Sequence, residues 1–206
     1  MPQGNPRLEF EPIEHKYSLV YQDGAIERIP SVSEIIEPLV DYSMVDKATM
    51  ARACEFGTNV HKSIELWLKG TLDIDKLDDG LKKPLEGFRK WLWSTYQNAK
   101  CQSEVRMHHE PLGYAGTIDL IVGDDTIIDI KTRKYNRVVD PVRLGAYSLL
   151  TRGYHTYAYV LEIDVDGNCK LINAYDKYAK SVFRKLLDRY NREQEFNDFV
   201  RKWKGK

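Results

Sequence analysis

The stretch that most constrains this chain is "GYAGTIDLIVGDDTIIDIKTRK", residues 113–134. Apolar residues alternate on both sides of Gly123-Asp124-Asp125, the pattern of a β-hairpin. A hairpin core has no use for Asp119 in its first strand, or for Asp129 and Lys131 in its second. Side chains alternate with period two, so Ile127, Asp129 and Lys131 share one face, and Thr117, Asp119 and Ile121 share one face of the partner strand. With a three-residue loop at 123–125, Val122 pairs with Thr126 and Asp119 lies opposite Asp129. Their Cβ atoms are then roughly 4.5–5.5 Å apart. A two-residue loop would place the two acids on opposite faces. Facing carboxylates repel unless one is protonated or a cation lies between them, so the odd loop makes this hairpin half of a divalent-metal site. The alternative is an edge strand blunted by solvated charges; isoleucines on both flanks of Asp129 favour a buried strand instead.

Further residues could complete such a site. In "FGTNVHKSIELWL", His61 and Glu65 stand at i and i+4 on one helical face. Imidazole is a common metal ligand, and Glu65 could ligate or orient it; a lone helical histidine is otherwise structural. Glu104, on the strand entering the hairpin, offers another carboxylate or an exposed charge. Arg143 and Tyr147 are again i and i+4, a guanidinium and a phenol suited to a phosphate oxygen, or an exposed arginine beside a core tyrosine. The loop after the hairpin carries Arg133, Lys134 and Arg137.

Around this centre the chain alternates helix and strand. Residues 16–29 form a short hairpin, and Ser31-Val-Ser-Glu34 is a capping box opening a helix to about residue 40. A helical stretch covers 45–69 with an interruption near Gly57, and 70–80 is a polar connector. A helix with Pro84 in its first turn follows, then a strand near 102–108 and the charged hairpin. Asp140 as N-cap and Pro141 at the first helical position open a helix to about Thr151. Residues 154–164 and 168–175 form another hairpin, the former a central strand. The last helix, from about 177, buries Val182, Phe183, Leu186, Leu187 and Tyr190. The expected fold is α/β: a single domain over 1–206 with a central mixed sheet flanked by helices. Its parts are a helical N-terminal half at about 31–100, a catalytic core at about 102–175 and a basic C-terminal helix at about 177–203.

With 206 residues the chain suits one substantial domain. It has no apolar run of the roughly 20 residues needed to span a membrane, and "MPQGNPRLEF" resembles neither a secretion signal nor a transit peptide, so a cytoplasmic location is expected. Cys54, Cys101 and Cys169 are widely spaced with no C-x-x-C pair, which excludes a zinc ribbon and a four-cysteine iron–sulfur cluster within the chain; reduced, mostly buried thiols are expected. The formal net charge is +0, but basic residues gather at 131–143 and at 176–206, where ten face five acidic ones. A basic surface beside acidic residues would let a polyanion approach a metal.

Asp119 followed by Asp129-Ile130-Lys131 resembles the core of the PD-(D/E)xK nuclease superfamily. "GYAGTIDLI" with "IIDIKT" is similar to its RecB-type exonuclease branch, and "GTNVHKSIE" resembles the helix that supplies that branch's metal-binding histidine. "HKYSLVYQDGAIERIPSVSEII" is similar to the opening of phage exonucleases and of the mitochondrial genome maintenance exonuclease, so the resemblance spans roughly residues 15 to 150. Two positions depart from the pattern. Arg143 stands where the branch usually has Gln, and Ile118 replaces the proline of the superfamily's name.

The resemblance implies a restriction-endonuclease-like core and a metal-dependent DNA exonuclease acting on single-stranded ends, in recombination or repair. Mg²⁺ or Mn²⁺ would be held by Asp119, Asp129, the Ile130 backbone carbonyl and His61, with Glu65 or Glu104 as further ligands. Lys131 would be catalytic with Asp119 and Asp129, while Arg133, Lys134, Arg137, Arg143 and Tyr147 would hold DNA. Recombination or replication proteins are candidate partners; a membrane is not. The alternatives are a structure-specific endonuclease on the same core and a non-catalytic DNA-binding relic. A hydrolase of small phosphates is disfavoured, because no G-x-x-x-x-G-K-[ST] loop is present.

Overall fold

The computed structural model describes residues 5–41, 43–97, 99–151 and 157–205. Residues 7–29 form a three-stranded antiparallel sheet of β1 (Arg7–Glu11), β2 (Lys16–Val20) and β3 (Ile26–Ile29). The hairpin expected at 16–29 is β2–β3. β1 was not anticipated, although Leu8 and Phe10 alternate with charged residues as a half-buried strand requires. Ser31 caps α1 (Val32–Ile36) and Glu34 reaches back to complete the capping box, after which one 3₁₀ turn ends at Leu39.

α2 (Lys47–Leu68) runs unbroken through Gly57. The glycine there marks a close approach: a Cβ at 57 would stand 3.1 Å from Thr132 Oγ1 in the loop after the charged hairpin. α3 (Asp79–Tyr96) is capped by Asp78, so Pro84 lies in its second turn rather than its first. Five strands follow: β4 (Cys101–His109), β5 (Tyr114–Val122), β6 (Thr126–Lys131), β7 (Tyr157–Ile163) and β8 (Cys169–Asn173). They form one mixed sheet in sequence order, antiparallel except for the parallel β6–β7 pair. A parallel pair needs a crossover, which passes through α4 (Val139–Leu150). The strand expected at 154–164 is seen over 157–163, and 154–156 lie outside the described residues.

α4 starts earlier than its Asp-Pro pair suggests. Asn136 does the capping, its Oδ1 accepting from the amides of Val138 (2.9 Å) and Val139 (3.0 Å). Asp140 is fully buried and instead accepts from Arg133 Nη1 (3.0 Å) and the Asn136 amide (2.7 Å).

Helices cover both faces of the sheet. α1, α4 and α5 (Ala179–Lys204) pack through Ile35, Leu144 and Phe183 on one side. α2 and α3 pack through Val60, Ile64, Leu85 and Phe88 on the other. The β7–β8 turn interlocks with α3 backbone to backbone. A Cβ on Gly87 would overlap the Gly167 carbonyl, and one on Gly167 would overlap the Lys83 carbonyl. Cys54 is exposed, contrary to the expectation of mostly buried thiols, while Cys101 and Cys169 are half-buried; all three are free. Among the described residues no helix is long and apolar enough to cross a membrane.

Candidate metal centre

The register of the charged hairpin follows from its three-residue loop. Val122 pairs with Thr126, Ile121 with Ile127 and Leu120 with Ile128. The next rung would set Asp119 against Asp129, and there the ladder stops. In place of a main-chain acceptor, Asp119 Oδ2 takes the amide hydrogen of Ile130 at 2.7 Å. The neighbouring β4–β5 ladder also skips one pair: Ser103–Leu120 and Val105–Ile118 are formed, Glu104–Asp119 is not. Three carboxylates, from Glu104, Asp119 and Asp129, therefore occupy a single rung where the sheet has parted.

The strands also turn over at this rung. Residues two apart in a strand normally share a face, yet Ile118 packs with α1 and α4 while Leu120 packs with α2 and α3. On β4, Cys101 contacts the α2–α3 side, and Val105 and Met107 contact the other. Glu104 sits at the crossover with φ +52°, a left-handed conformation that is costly for any residue but glycine. The shared face expected for Thr117, Asp119 and Ile121 is thus broken. The Thr117 hydroxyl instead meets the phenol of Tyr17 on β2 at 2.6 Å, which pins the N-terminal sheet beside the rung.

α2 lays His61 over the parted strands. Its Nδ1 is 3.5 Å from Glu104 Oε1 and 3.7 Å from Asp119 Oδ1, and its Nε2 donates to the Ile130 carbonyl at 3.0 Å. Donation from Nε2 fixes the tautomer that presents Nδ1 to the carboxylates. Burial pushes the imidazolium down, but the charges of Asp119 and Glu104 outweigh it and hold His61 above its ordinary value. Lys131 closes the centre from the end of β6, with Nζ 2.7 Å from Asp129 Oδ2, 3.8 Å from Asp119 Oδ2 and 3.2 Å from the Ile130 carbonyl.

Asp129 is completely buried. Burial raises its carboxyl above the usual range, and Asp119 adds to the effect, against Lys131 and Arg143. Among the described residues, the buried side-chain polar atoms without a hydrogen-bond partner are both oxygens of Asp129 and Nε of Arg143. The 2.7 Å contact of Lys131 with Asp129 is thus one without hydrogen-bond alignment. Buried polar groups are ordinarily paired, and the Asp129 carboxylate, beside that of Asp119, offers acceptors that could also serve a cation. The ligating atoms of His61, Glu104 and Asp119 lie within 4.8 Å of one another, little more than twice a metal–oxygen bond of roughly 2.1 Å. Oxygen donors with one imidazole suit Mg²⁺ or Mn²⁺.

Of the remaining residues singled out in the sequence, Arg143 and Tyr147 come to the Asp129 side of the centre. The charges of Asp129 and Asp119 act on both, and Arg143 Nη1 donates to Ser33 at 3.2 Å. Tyr147 is buried, which raises its phenol. Arg133 is held by Asp140 and by the Lys134 carbonyl, so it orders the loop. Lys134 and Arg137 are exposed. Glu65 is not brought to the centre; its carboxylate is paired with Lys62 and Lys69 on its own helix.

Two anchors escaped the sequence reading. Asp140 fastens the basic loop, and Glu162, beside Lys131 in the parallel register, accepts from the Tyr135 amide. A lone acid inside "YAYVLEI" was the available signal, the same signal that betrayed Asp129.

No family model and no curated protein matches this chain. Solved structures do. The chain is similar to an alkaline exonuclease, LHK-Exo, from Laribacter hongkongensis, with 14% sequence identity, a TM-score of 0.50, and 85% of this chain and 92% of that chain covered. LHK-Exo in complex with dAMP superposes with a TM-score of 0.51 at 14% identity, over 86% of this chain and 93% of that chain. The likeness is one of fold, which in this chain is a five-stranded mixed sheet flanked by helices.

Proposed function

We propose that the chain is a divalent-metal-dependent deoxyribonuclease that hydrolyses phosphodiester bonds at single-stranded DNA ends. The observation that carries this reading is the parted rung, where Glu104, Asp119 and Asp129 converge with His61 above them and Lys131 between two of them. The exonuclease fold of the structural neighbours supports it, as does the deoxynucleotide bound to one of them.

His61, Glu104 and Asp119 would hold the ion, with Asp129 and the Ile130 carbonyl beside them. A bound Mg²⁺ or Mn²⁺ would lower the pKa of a coordinated water and draw charge from the scissile phosphate. The chain's own residues supply the rest. Lys131 positions the attacking water and stabilises the negative charge that builds on the phosphoryl oxygens. Arg143 brings the charge of its guanidinium to a backbone phosphate, and buried Tyr147 keeps it in place. Lys134 and Arg137 gather the approaching strand by charge.

The test is degradation of end-labelled linear single-stranded, linear duplex and circular single-stranded DNA with Mg²⁺, Mn²⁺ or EDTA, using Asp129→Ala as the contamination control. Metal-dependent loss of the linear single strand alone is the expected result. Cutting of circles would assign an endonuclease, and inertness of the folded protein on every substrate would assign a binding relic.

A further inference from the structure

α5 outlives its own core. Its buried residues end at Leu187 and its half-buried contacts at Tyr190, whereas residues 191–199 and 201–205 are exposed. At 1.5 Å per residue the part beyond Tyr190 projects about 20 Å. That projection carries an apolar stripe: Phe196, Phe199 and Trp203 are 65%, 65% and 68% exposed, and half-buried Val200 lies between them. The spacing i, i+3, i+4, i+7 puts all four on one helical face. With about 100° per residue, this stripe is rotated about half a turn from the face that buries Phe183 and Leu187. The chain's own core therefore does not cover it.

The charges bordering the stripe specify what can. Glu193 and Lys204 fall on one border, Glu195 and Lys202 on the other. Two such helices laid parallel would set Glu against Glu and Lys against Lys at each level. Laid antiparallel, Glu193 meets Lys204 and Glu195 meets Lys202 of the other copy in one common register, and border charges of this kind set partner and orientation in helix pairs. Within about two residues of that register, Phe196 lies against Trp203 and Phe199 lies at the two-fold axis. Glu193 is paired with Arg189 at 2.7 Å along its own helix, an exposed contact too weak to hold it back. Six aromatic rings, about a third already covered, would bury roughly 600–1,000 Å², a size typical of reversible association.

We infer that the projecting end of α5 is a self-association surface, pairing antiparallel with the same segment of a second copy of this chain. Sedimentation velocity of the full chain over a concentration series tests it, with circular dichroism to confirm folding. A monomer–dimer equilibrium in the micromolar range is expected, abolished by Phe199→Glu. Glu193→Lys/Glu195→Lys and Lys202→Glu/Lys204→Glu chains should each lose the homodimer and form a heterodimer when mixed. A parent chain monomeric at every concentration, a dimer indifferent to Phe199→Glu, or charge-swapped chains that do not associate would overturn the inference. So would a monomeric parent that binds oligo-dT or anionic phospholipid vesicles through Phe199, which would give the stripe a different occupant.

Discussion

Asp119 accepts the amide hydrogen of Ile130 at 2.7 Å, so one carboxylate both ties β5 to β6 and faces His61 and Glu104 in the candidate metal centre. The two duties are separable. Asp119→Asn keeps an oxygen for the Ile130 amide, whereas Asp119→Ala leaves a buried N–H unsatisfied at a cost of about 1–3 kcal/mol. Thermal melts should place the Asn protein near the parent and the Ala protein well below it. Calorimetric titration with Mn²⁺ should show binding lost in both. Equal melting of the two variants would refute the hydrogen bond's structural part.

Lys131→Ala removes the ammonium placed between Asp119 and Asp129. Single-turnover cleavage should slow by about 10²-fold or more, the scale of a lost electrostatic stabiliser. Affinity for single-stranded DNA should change little. Near-parental turnover would remove Lys131 from the mechanism.

Buried Asp129 has its carboxyl raised above the usual range, so the folded state holds a proton there that the unfolded chain has already released. Between the unfolded value and the raised one, the native state binds more protons, and stability falls as pH rises. In EDTA, Asp129→Asn should therefore melt higher than the parent at neutral pH, with the gap closing near pH 4. A gap independent of pH would sink this assignment.

Glu104 has φ +52° in the middle of a strand. Glycine adopts that conformation freely and alanine does not, so Glu104→Gly should be more stable than Glu104→Ala by about 1 kcal/mol. Ordinary strand positions give the reverse order. Chemical denaturation measures the difference, and both variants should bind Mn²⁺ more weakly than the parent.

Glu65→Gln touches a carboxylate committed to Lys62 and Lys69. Metal affinity and cleavage rate should match the parent. A drop in either would bring Glu65 into the centre despite its pairing with the two lysines.

Much of the centre was legible because it rests on local rules. The length of the Gly123–Asp125 loop determined the register, and a lysine and an aspartate among isoleucines announced a buried charge cluster. What stayed hidden depends on contacts between distant segments. Gly57 reads as a helix breaker until Thr132 is seen against it. Asp140 reads as an N-cap until Arg133 and Asn136 claim its carboxylate. The turnover of β4 and β5 leaves no trace in either strand alone, since Glu104 is as ordinary a residue in sequence as it is unusual in conformation. Glu104 was weighed only as an optional carboxylate, and Glu65, its equal in the sequence, turned elsewhere.

The backbone interlock of Gly87 with Gly167 bears on where this molecule tolerates foreign sequence. The tip at 164–168 is a surface hairpin loop, the kind of place usually chosen for grafting an epitope, a fluorophore or a whole inserted module. Here that tip is wedged into a helix with no room for even one methyl group, so a graft would pry α3 off the sheet. The tip at Gly123 has nothing within 4 Å of where a side chain would begin. It is the roomier place for a graft, but it is also the turn that sets the acidic register, so an insertion there must keep the odd count of residues that brings Asp119 and Asp129 to the same rung.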